Sequence, residues 1–362
     1  MLKNPEDDLV PNICVSQRGS LFFVFLYCLG LLSGGAYQFY LSLDYGILTD
    51  GLDYLNMTKG NYDVSITRRY RVITPMLASV LSIPLERLNS FLWPHREGIE
   101  WTIRLANFLV NLGIMTSAGT VIFLICRRYG ASVIASLLAL TAVLVSRWGL
   151  WSTGAPNSDA LYLLVIVLIV YGLKAKEKWP LIIAIFVGPF AKESFIFLAP
   201  AIILFGRNII GIYMQIALFL LSGILVFGFR YWLDTIYIVE YSTSMQNAFD
   251  HFENVRLTYD RMFSLRGLGE LFGVWGVFSV VIVLGFWGNR NDRDSWMRFI
   301  DRPLVYIVPC MILHAVISVE VSRMLYFASP VFAVAFALIV DKHRLFQKYR
   351  EWLAGYHKNT TI

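Results

Sequence analysis

Charged residues are scarce in this sequence. Of its 362 residues only 15% are Asp, Glu, Lys or Arg, whereas 57% are hydrophobic. Soluble globular proteins carry about a quarter charged residues, so the composition excludes an ordinary soluble protein. Cysteine is scarce as well. The four cysteines lie in or beside apolar segments without paired spacing, at Cys14, Cys28, Cys126 and Cys310. This pattern predicts packing residues, with neither a disulfide framework nor a metal site.

Histidine motifs are also lacking. The five histidines are scattered, and no His-x-x-x-x-Asp signature of an acyltransferase occurs.

The net charge of +6 raises the question of a nucleic-acid partner. The basic residues, however, lie at the ends of apolar segments, where orientation in a membrane explains them. We therefore expect no nucleic acid to bind.

Long apolar runs are what the sequence does contain. Several approach or exceed the roughly 20 residues that a helix needs to cross a bilayer. Strands of a membrane barrel would alternate apolar and polar residues, and these runs do not. The sequence predicts an all-α, multi-pass membrane protein of about ten transmembrane helices. Their predicted positions are 21–43, 102–126, 130–147, 157–173, 180–191, 194–206, 209–228, 269–287, 303–319 and 323–340.

The chain 1–362 is predicted to form a single transmembrane domain. Lys and Arg in the short connections favour a cytoplasmic N-terminus and C-terminus. The predicted segments outside the helices are a cytoplasmic N-terminal segment at 1–20, a first outer loop at 44–101, a second long outer loop at 229–268 and a cytoplasmic tail at 341–362. Within the first outer loop, residues 72–93 are apolar on one side and interrupted by Pro75 and Pro84. They predict a helix that lies along the membrane interface.

Unusual polar residues collect on the predicted outer face. They are Asp50, Asp53, Arg68, Arg69 and Arg71 in the first outer loop, Asn157 and Asp159 at a helix start, Lys192 and Glu193 at a bend between short helices, and Glu320 with Arg323 near another helix end. Charges in a helix bundle are costly and usually face a cavity or each other. Structural interpretations stay open: helix capping at Asn157 and Asp159, and local ion pairs within Lys192–Glu193 and Glu320–Arg323.

Four short elements, in order along the chain, carry a resemblance to a known family. The first outer loop contains DG-x-x-Y-L from Asp50, then Gly60-Asn61-Tyr62 and an Arg-Tyr-Arg-x-x-x-Pro run ending at Pro75. PNSDALYLL opens one helix, AKESFIFLAP lies between two short helices, and VSRMLYFASPVF opens a late helix. This series resembles the multispanning, lipid-phosphosugar-dependent glycosyltransferases with the C-type (GT-C) fold.

The resemblance implies an enzyme, a hexosyl- or pentosyltransferase. Its donor would be a polyprenyl-phosphate sugar, its acceptor a lipid-linked or cell-envelope glycan, and its location a bacterial inner (plasma) membrane. Such transfer needs a base for the acceptor hydroxyl, for which Asp50 is the first candidate and Asp53 the second. It also needs cations for the leaving phosphate, and Arg323 and Lys192 fit that role. Arg68, Arg69 and Arg71 are further candidates for it, or for binding anionic lipid headgroups. No cofactor is predicted with certainty, and a divalent metal ion stays possible.

Alternative functions stay open on the same residues. A polysaccharide polymerase or ligase would also use arginines and carboxylates at the outer face. A transporter of lipid-linked glycans is the other alternative. Secondary transporters place ionisable residues near the bilayer midplane on broken helices in corresponding halves. Here the charges gather at one face, and the two halves of the chain show no correspondence.

Overall fold

The structure is a computed structural model that describes residues 16–42, 49–93, 99–237, 255–318 and 320–352. Within these ranges all regular structure is helical and no β-strand is present. The helices are α1 (Ser16–Ser42), α2 (Thr49–Thr58), α3 (Ile66–Arg69), α4 (Ile73–Leu92), α5 (Ile99–Arg128), α6 (Val133–Leu144), α7 (Arg147–Gly154), α8 (Asp159–Ala175), α9 (Lys178–Ala191), α10 (Ala199–Gly206), α11 (Ile212–Ile236), α12 (255–262), α13 (Leu265–Gly273), α14 (Ser279–Gly285), α15 (Arg290–Met297), α16 (Arg302–Ser318), α17 (Val321–Tyr326), α18 (Ser329–Lys342) and α19 (347–352). Three 3-10 turns lie at Glu193–Phe197, Gly276–Phe278 and Arg344–Phe346.

Several helices are suited to a bilayer. Among the described residues, three helices are long and apolar enough to cross one: Gly19–Leu41 in α1, Glu100–Arg128 in α5, and α11. Three bent pairs, α6 with α7, α13 with the Gly276–Gly285 segment, and α15 with α16, raise the number to six if each pair is one span. The expected number of about ten also counts shorter apolar helices such as α9. The described chain is therefore an all-α protein with apolar helices of membrane-spanning length.

The core of the bundle surrounds α8. Its sequence after Asp159 is apolar on every side, as expected for a helix that is buried all round. It packs mainly against α5 and α9, and α18 packs against α6. By contrast, α1 and α11 leave large apolar side chains such as Phe23 and Phe227 exposed. These outer surfaces are suited to contact with lipid tails.

Some predicted helices are divided, and there the prediction of one continuous helix is wrong. The predicted helix 269–287 is instead α13, a 3-10 turn and α14, with a bend of 87°. Gly276 at this break has φ +57°, a left-handed conformation that glycine adopts at no steric cost. Most of α7 lies between the predicted helices 130–147 and 157–173, where no helix was predicted, and it bends 63° from α6. The Ser146 hydroxyl starts α7 by accepting a hydrogen bond from the backbone of Gly149.

The first outer loop and the second one are more helical than predicted. Residues 72–93 do form a helix, α4, which contains Pro84 and packs against α5. Its position in a membrane stays a prediction. The second outer loop was predicted to begin at 229, but α11 continues to Ile236.

The chain turns sharply after α9, at the extended residue Lys192 and the 3-10 turn Glu193–Phe197; this segment is called the α9 reversal below. Gly188 faces the ring of Phe195, and a Cβ atom on Gly188 would overlap that ring. Between them, Lys192 ends α9 with an extended backbone (φ −164°, ψ 140°). The reversal therefore places Lys192 and Glu193 side by side at the end of the bundle where the first outer loop packs.

Candidate functional site

An open cavity of about 690 Å³ lies where the first outer loop meets the α9 reversal and the α16–α17 region. Its wall combines five cationic side chains and three carboxylates with apolar residues. The charged members are Arg68, Arg71, Lys192, Arg230 and Arg323, with Asp50, Glu193 and Glu320. Seven of these eight were predicted from the sequence. The predicted residues Asp53, Arg69, Asn157 and Asp159 lie beside or beneath this wall and are not part of it.

Asp159 is the anion beneath the cavity. Its side chain has no exposed surface. One carboxylate oxygen, Oδ1, lies 3.2 Å from Nζ of Lys192, and the other, Oδ2, lies 2.5 Å from Nε of Arg323. A single buried carboxylate therefore compensates two cations from different parts of the chain. Asn157 shapes the turn before it, because its Oδ1 accepts a hydrogen bond from the Asp159 backbone N–H at 2.8 Å. Asn157 therefore forms an Asx turn one residue before the N-cap of α8, which is Ser158, and does not itself cap the helix.

Arg323 is held on several sides. Besides Asp159, its Nη1 donates to Oε2 of Glu320 at 2.6 Å and lies 3.8 Å from Oδ2 of Asp50. The guanidinium also stacks on Trp151 of α7, with Cζ 4.5 Å from the ring centre. These contacts fix a planar cation in one orientation at the cavity wall. The predicted local pair with Glu320 exists, but it is one contact of a larger network.

Lys192 pairs with Asp159 and not with its neighbour Glu193. Its Nζ lies 4.9 Å from the centre of the Phe327 ring and 5.8 Å from that of Tyr162. It also donates to the sulfur of Met324 at 3.5 Å. Aromatic faces and one carboxylate thus surround the ammonium group, which is almost fully buried yet lines the cavity.

Glu193 binds the first outer loop. Both Nε and Nη2 of Arg71 donate to Oε2 of Glu193, at 3.1 and 2.8 Å. Arg230 of α11 approaches the other oxygen, Oε1, at 3.8 Å. The carboxylate therefore connects the α9 reversal to both the first outer loop and α11.

Asp50 and Asp53 share one arginine. Nη1 of Arg68 donates to Oδ2 of Asp53 at 2.8 Å, and Nη2 of Arg68 contacts Oδ1 of Asp50. Only Asp50 lines the cavity. Because a base must reach the proton that it removes, this geometry favours Asp50 over Asp53.

Arg69 fastens the first outer loop to α11. It is buried, and its guanidinium donates to the backbone carbonyls of Tyr62 and Val64 and lies 3.4 Å from Asp234. The Tyr70 hydroxyl reaches both oxygens of Asp234 at 2.9 Å. Burial and the Asp234 carboxylate raise the pKa of Tyr70 to about 12, so its phenol keeps the proton that it donates. These contacts tie Arg69, one of the predicted candidates for phosphate binding, to groups of the protein itself.

The residues of the site that were not predicted from the sequence include Arg230, Trp151 and His314. Arg230 lies within α11, Trp151 lies in the unpredicted helix α7, and His314 lies in the predicted helix 303–319. The sequence gave only a weak indication that His314 belongs to a site, because a single histidine in an apolar helix is also compatible with packing in the core. The sequence gave no indication for Trp151, because its contact with Arg323 depends on a helix bend that hydropathy does not reveal.

The carboxylates of the wall are a poor set of ligands for a divalent metal ion. Each already pairs with an arginine: Asp50 with Arg68, Glu193 with Arg71 and Glu320 with Arg323. Mg²⁺ and Ca²⁺ require several free oxygen ligands. Among the residues that the structure describes, no group of three or more His, Cys, Asp or Glu side chains could hold a metal.

The arrangement can bind an anion beside a carboxylate. Five cations and three carboxylates line the cavity, so its surface has a surplus of positive charge. Two further carboxylates lie behind that surface, Asp159 against Lys192 and Arg323 and Asp53 against Arg68. Arginine and lysine in such a partly dry cavity stabilise phosphate oxygens strongly.

Comparisons of the chain with models of protein families, with curated proteins and with solved structures find no match.

Proposed function

We propose that the protein is a membrane glycosyltransferase of the GT-C type, which transfers a sugar from a polyprenyl-phosphate donor to a glycan or lipid acceptor. One observation carries most of the argument. Arg323 and Lys192, 131 positions apart in sequence, share Asp159 and line one cavity together with Asp50. That arrangement suits a reaction in which a phosphate leaves next to a base.

The donor phosphate would lie against Arg323 and Lys192. Nε and Nη1 of Arg323 already donate to Asp159 and Glu320, so the guanidinium would bind phosphate oxygens through Nη2, and the ammonium of Lys192 adds a point charge. Apolar residues of the wall, such as Ile196 and Phe197, suit the first isoprene units of the lipid. In this proposal the shorter helices complete about ten spans, and the cavity opens at the outer face of a bacterial inner membrane.

The transfer step follows from these positions. The acceptor hydroxyl oxygen forms a bond to the anomeric carbon of the sugar, and its proton passes to the Asp50 carboxylate. The bond between the anomeric carbon and the phosphate oxygen breaks. Its electron pair stays on that oxygen, so the polyprenyl phosphate gains one negative charge as it leaves. Arg323 and Lys192 stabilise this developing charge, and their contacts with Asp159 hold both cations in position before the reaction begins.

Release of polyprenyl phosphate tests the proposal. The purified protein in lipid nanodiscs would receive a panel of polyprenyl-phosphate sugars, with a cell-envelope extract as the source of acceptors. Removing a general base typically lowers a rate by about 10²–10⁴-fold, so Asp50→Asn should reduce release to that extent. Asp63→Asn is the matched control, because Asp63 lies in the same loop, its side chain is 76% exposed and it does not line the cavity.

The outcomes separate the alternatives. Equal release by the wild type and Asp50→Asn would contradict the assigned base. A donor that binds and stays intact would favour a transporter of lipid-linked glycans. Release that needs a lipid-diphosphate glycan as donor would favour a polymerase or ligase.

A further inference from the structure

Helix α13 has one buried side and two exposed sides of opposite character. Gly267 and Leu271 face the protein, and the helix packs against α17. One exposed side is apolar and consists of Leu265, Leu268 and Phe272. These residues lie three and four positions apart, so they share one side of a helix. The other exposed side carries Arg266, which pairs with Glu270 one turn later at 3.3 Å.

The contrast between the two exposed sides is sharpest at adjacent residues. Leu265 is 90% exposed, and the side chain of Arg266 is 79% exposed. A helix surrounded by water would not gain from such exposed leucines, and a helix surrounded by acyl chains would not present an exposed arginine. One apolar and one charged side fit a helix at the boundary between lipid and water, with its axis in the membrane plane.

The direction of α13 agrees with that position. The segment Gly276–Gly285, which follows it, bends away from α13 by 87°. This segment runs along the core helix α18, because Phe278 contacts Phe336 and Gly285 lies against Ile339. Helix α13 therefore runs across the end of the bundle and not along it.

Helices α12 and α13 lie at the end of the bundle that contains the cavity. Val255, at the start of α12, and residues of α17 belong to the cavity wall. Nε of Arg261 in α12 donates to Oε1 of Glu270 in α13 at 3.1 Å, which joins the two helices. Helix α12 also exposes Tyr259 and Phe263, whose ring centres lie 4.8 Å apart. Exposed apolar side chains thus extend from the cavity wall to α13.

We propose that α13 lies in the membrane plane at the cavity end of the bundle, with its apolar side inserted among lipid acyl chains and Arg266 in the headgroup layer. Helices of this kind reach about 5–10 Å into the boundary between headgroups and acyl chains. Because Val255 belongs to the cavity wall, lipid then borders the cavity, and a ligand with a lipid tail enters from the leaflet. This position holds whether or not the protein transfers a sugar.

A fluorophore attached to single cysteines tests the insertion. The full chain would carry Cys14→Ser, since the other three cysteines are buried, and would be labelled with nitrobenzoxadiazole in lipid nanodiscs. Leu265→Cys and Arg266→Cys form a matched pair of adjacent, exposed positions. Phe227→Cys, exposed on the apolar helix α11, is the lipid reference, and the exposed Asp63→Cys is the water reference.

The label at position 265 should behave differently from the label at 266. Its emission should shift to shorter wavelength, and doxyl groups attached near the lipid headgroup should quench it more than doxyl groups at the end of the acyl chain. Iodide in the water should quench it only weakly. At position 266 iodide should quench as strongly as at 63. Leu268→Cys, on the same apolar side, should reproduce the result for Leu265→Cys and replaces it if that variant does not fold.

Three results would overturn the proposal. Equal quenching by iodide at 265 and 266 would place the apolar side in water. Protection of 265 from both iodide and doxyl lipids would show that protein covers it, either residues 238–254, a second copy of the chain or another partner. Stronger quenching by the deep doxyl group than by the shallow one would show that α13 enters the bilayer core and does not lie in the membrane plane.

Discussion

Asp159→Asn should destabilise the protein more than any other removal of a single charge at the site. The carboxylate is fully buried and compensates Lys192 and Arg323 at 3.2 and 2.5 Å. Asparagine keeps the size of the side chain and removes its charge, so two buried cations would lose their shared anion. Removal of one member of a buried ion pair costs about 3–5 kcal/mol, against about 0–1 kcal/mol for an exposed pair.

Thermal unfolding in detergent, followed by tryptophan fluorescence, would measure this loss. With about 2 °C per kcal/mol, the melting temperature should fall by ~6–10 °C. Asp63→Asn again serves as control, since it removes an exposed carboxylate that lies 3.8 Å from Arg69. Its melting temperature should change by no more than about 2 °C.

A second substitution tests whether unpaired charge is the cause. Lys192→Met replaces the ammonium by a chain of similar length whose sulfur suits the Phe327 and Tyr162 rings. In the Asp159→Asn background it removes one uncompensated cation, so the double variant should be more stable than Asp159→Asn alone. Interaction energies between contacting residues reach about 0.5–3 kcal/mol. An Asp159→Asn variant as stable as the control, or losses that simply add in the double variant, would refute the reasoning.

Three further predictions concern the cavity and its orientation. Arg323→Lys should weaken farnesyl phosphate binding about tenfold, because an ammonium cannot replace a stacked fork, whereas the exposed Arg290→Lys should have no effect. Tyr70→Phe should lower the free energy of unfolding by about 1 kcal/mol or more through the lost bond to Asp234, as denaturant titration would show. That loss should be equal at about pH 6 and 9 and shrink only as the pH rises from 10 towards 12, the pKa of Tyr70. A cysteine inserted after Lys342 should escape a membrane-impermeant maleimide in intact cells; labelling there would reverse the predicted topology.

Hydropathy predicted the long helices because a bilayer-spanning run is a property of local sequence. The positions of α1, α5, α8 and α11 follow directly from such runs. Helix breaks were missed where no polar residue interrupts the run, as at Gly276. There a left-handed glycine opens the 3-10 turn between α13 and α14, and hydropathy does not change along this stretch.

The candidate site was predictable in its residue types and not in its pairings. Placing an ionisable residue in apolar surroundings costs free energy, so such a residue usually has a function or a partner. This reasoning identified Lys192 and Arg323. Local sequence suggested Glu193 and Glu320 as their partners. The structure adds Asp159, which lies 33 positions from Lys192 and 164 from Arg323. Contacts of that separation depend on how helices pack, and a single sequence holds no local trace of them.

The bare backbone at Gly188 has a consequence for how the protein tolerates variation. Phe195 lies against it, and the reversal that carries Lys192 and Glu193 lies between the two. Any side chain at position 188 would displace the ring and the reversal together, and so separate Lys192 from Asp159. A screen of random substitutions should therefore return Gly188 among the loss-of-function positions. Gly188 has no functional group, yet it should tolerate substitution as poorly as the charged residues Lys192 and Glu193, because it determines where they lie.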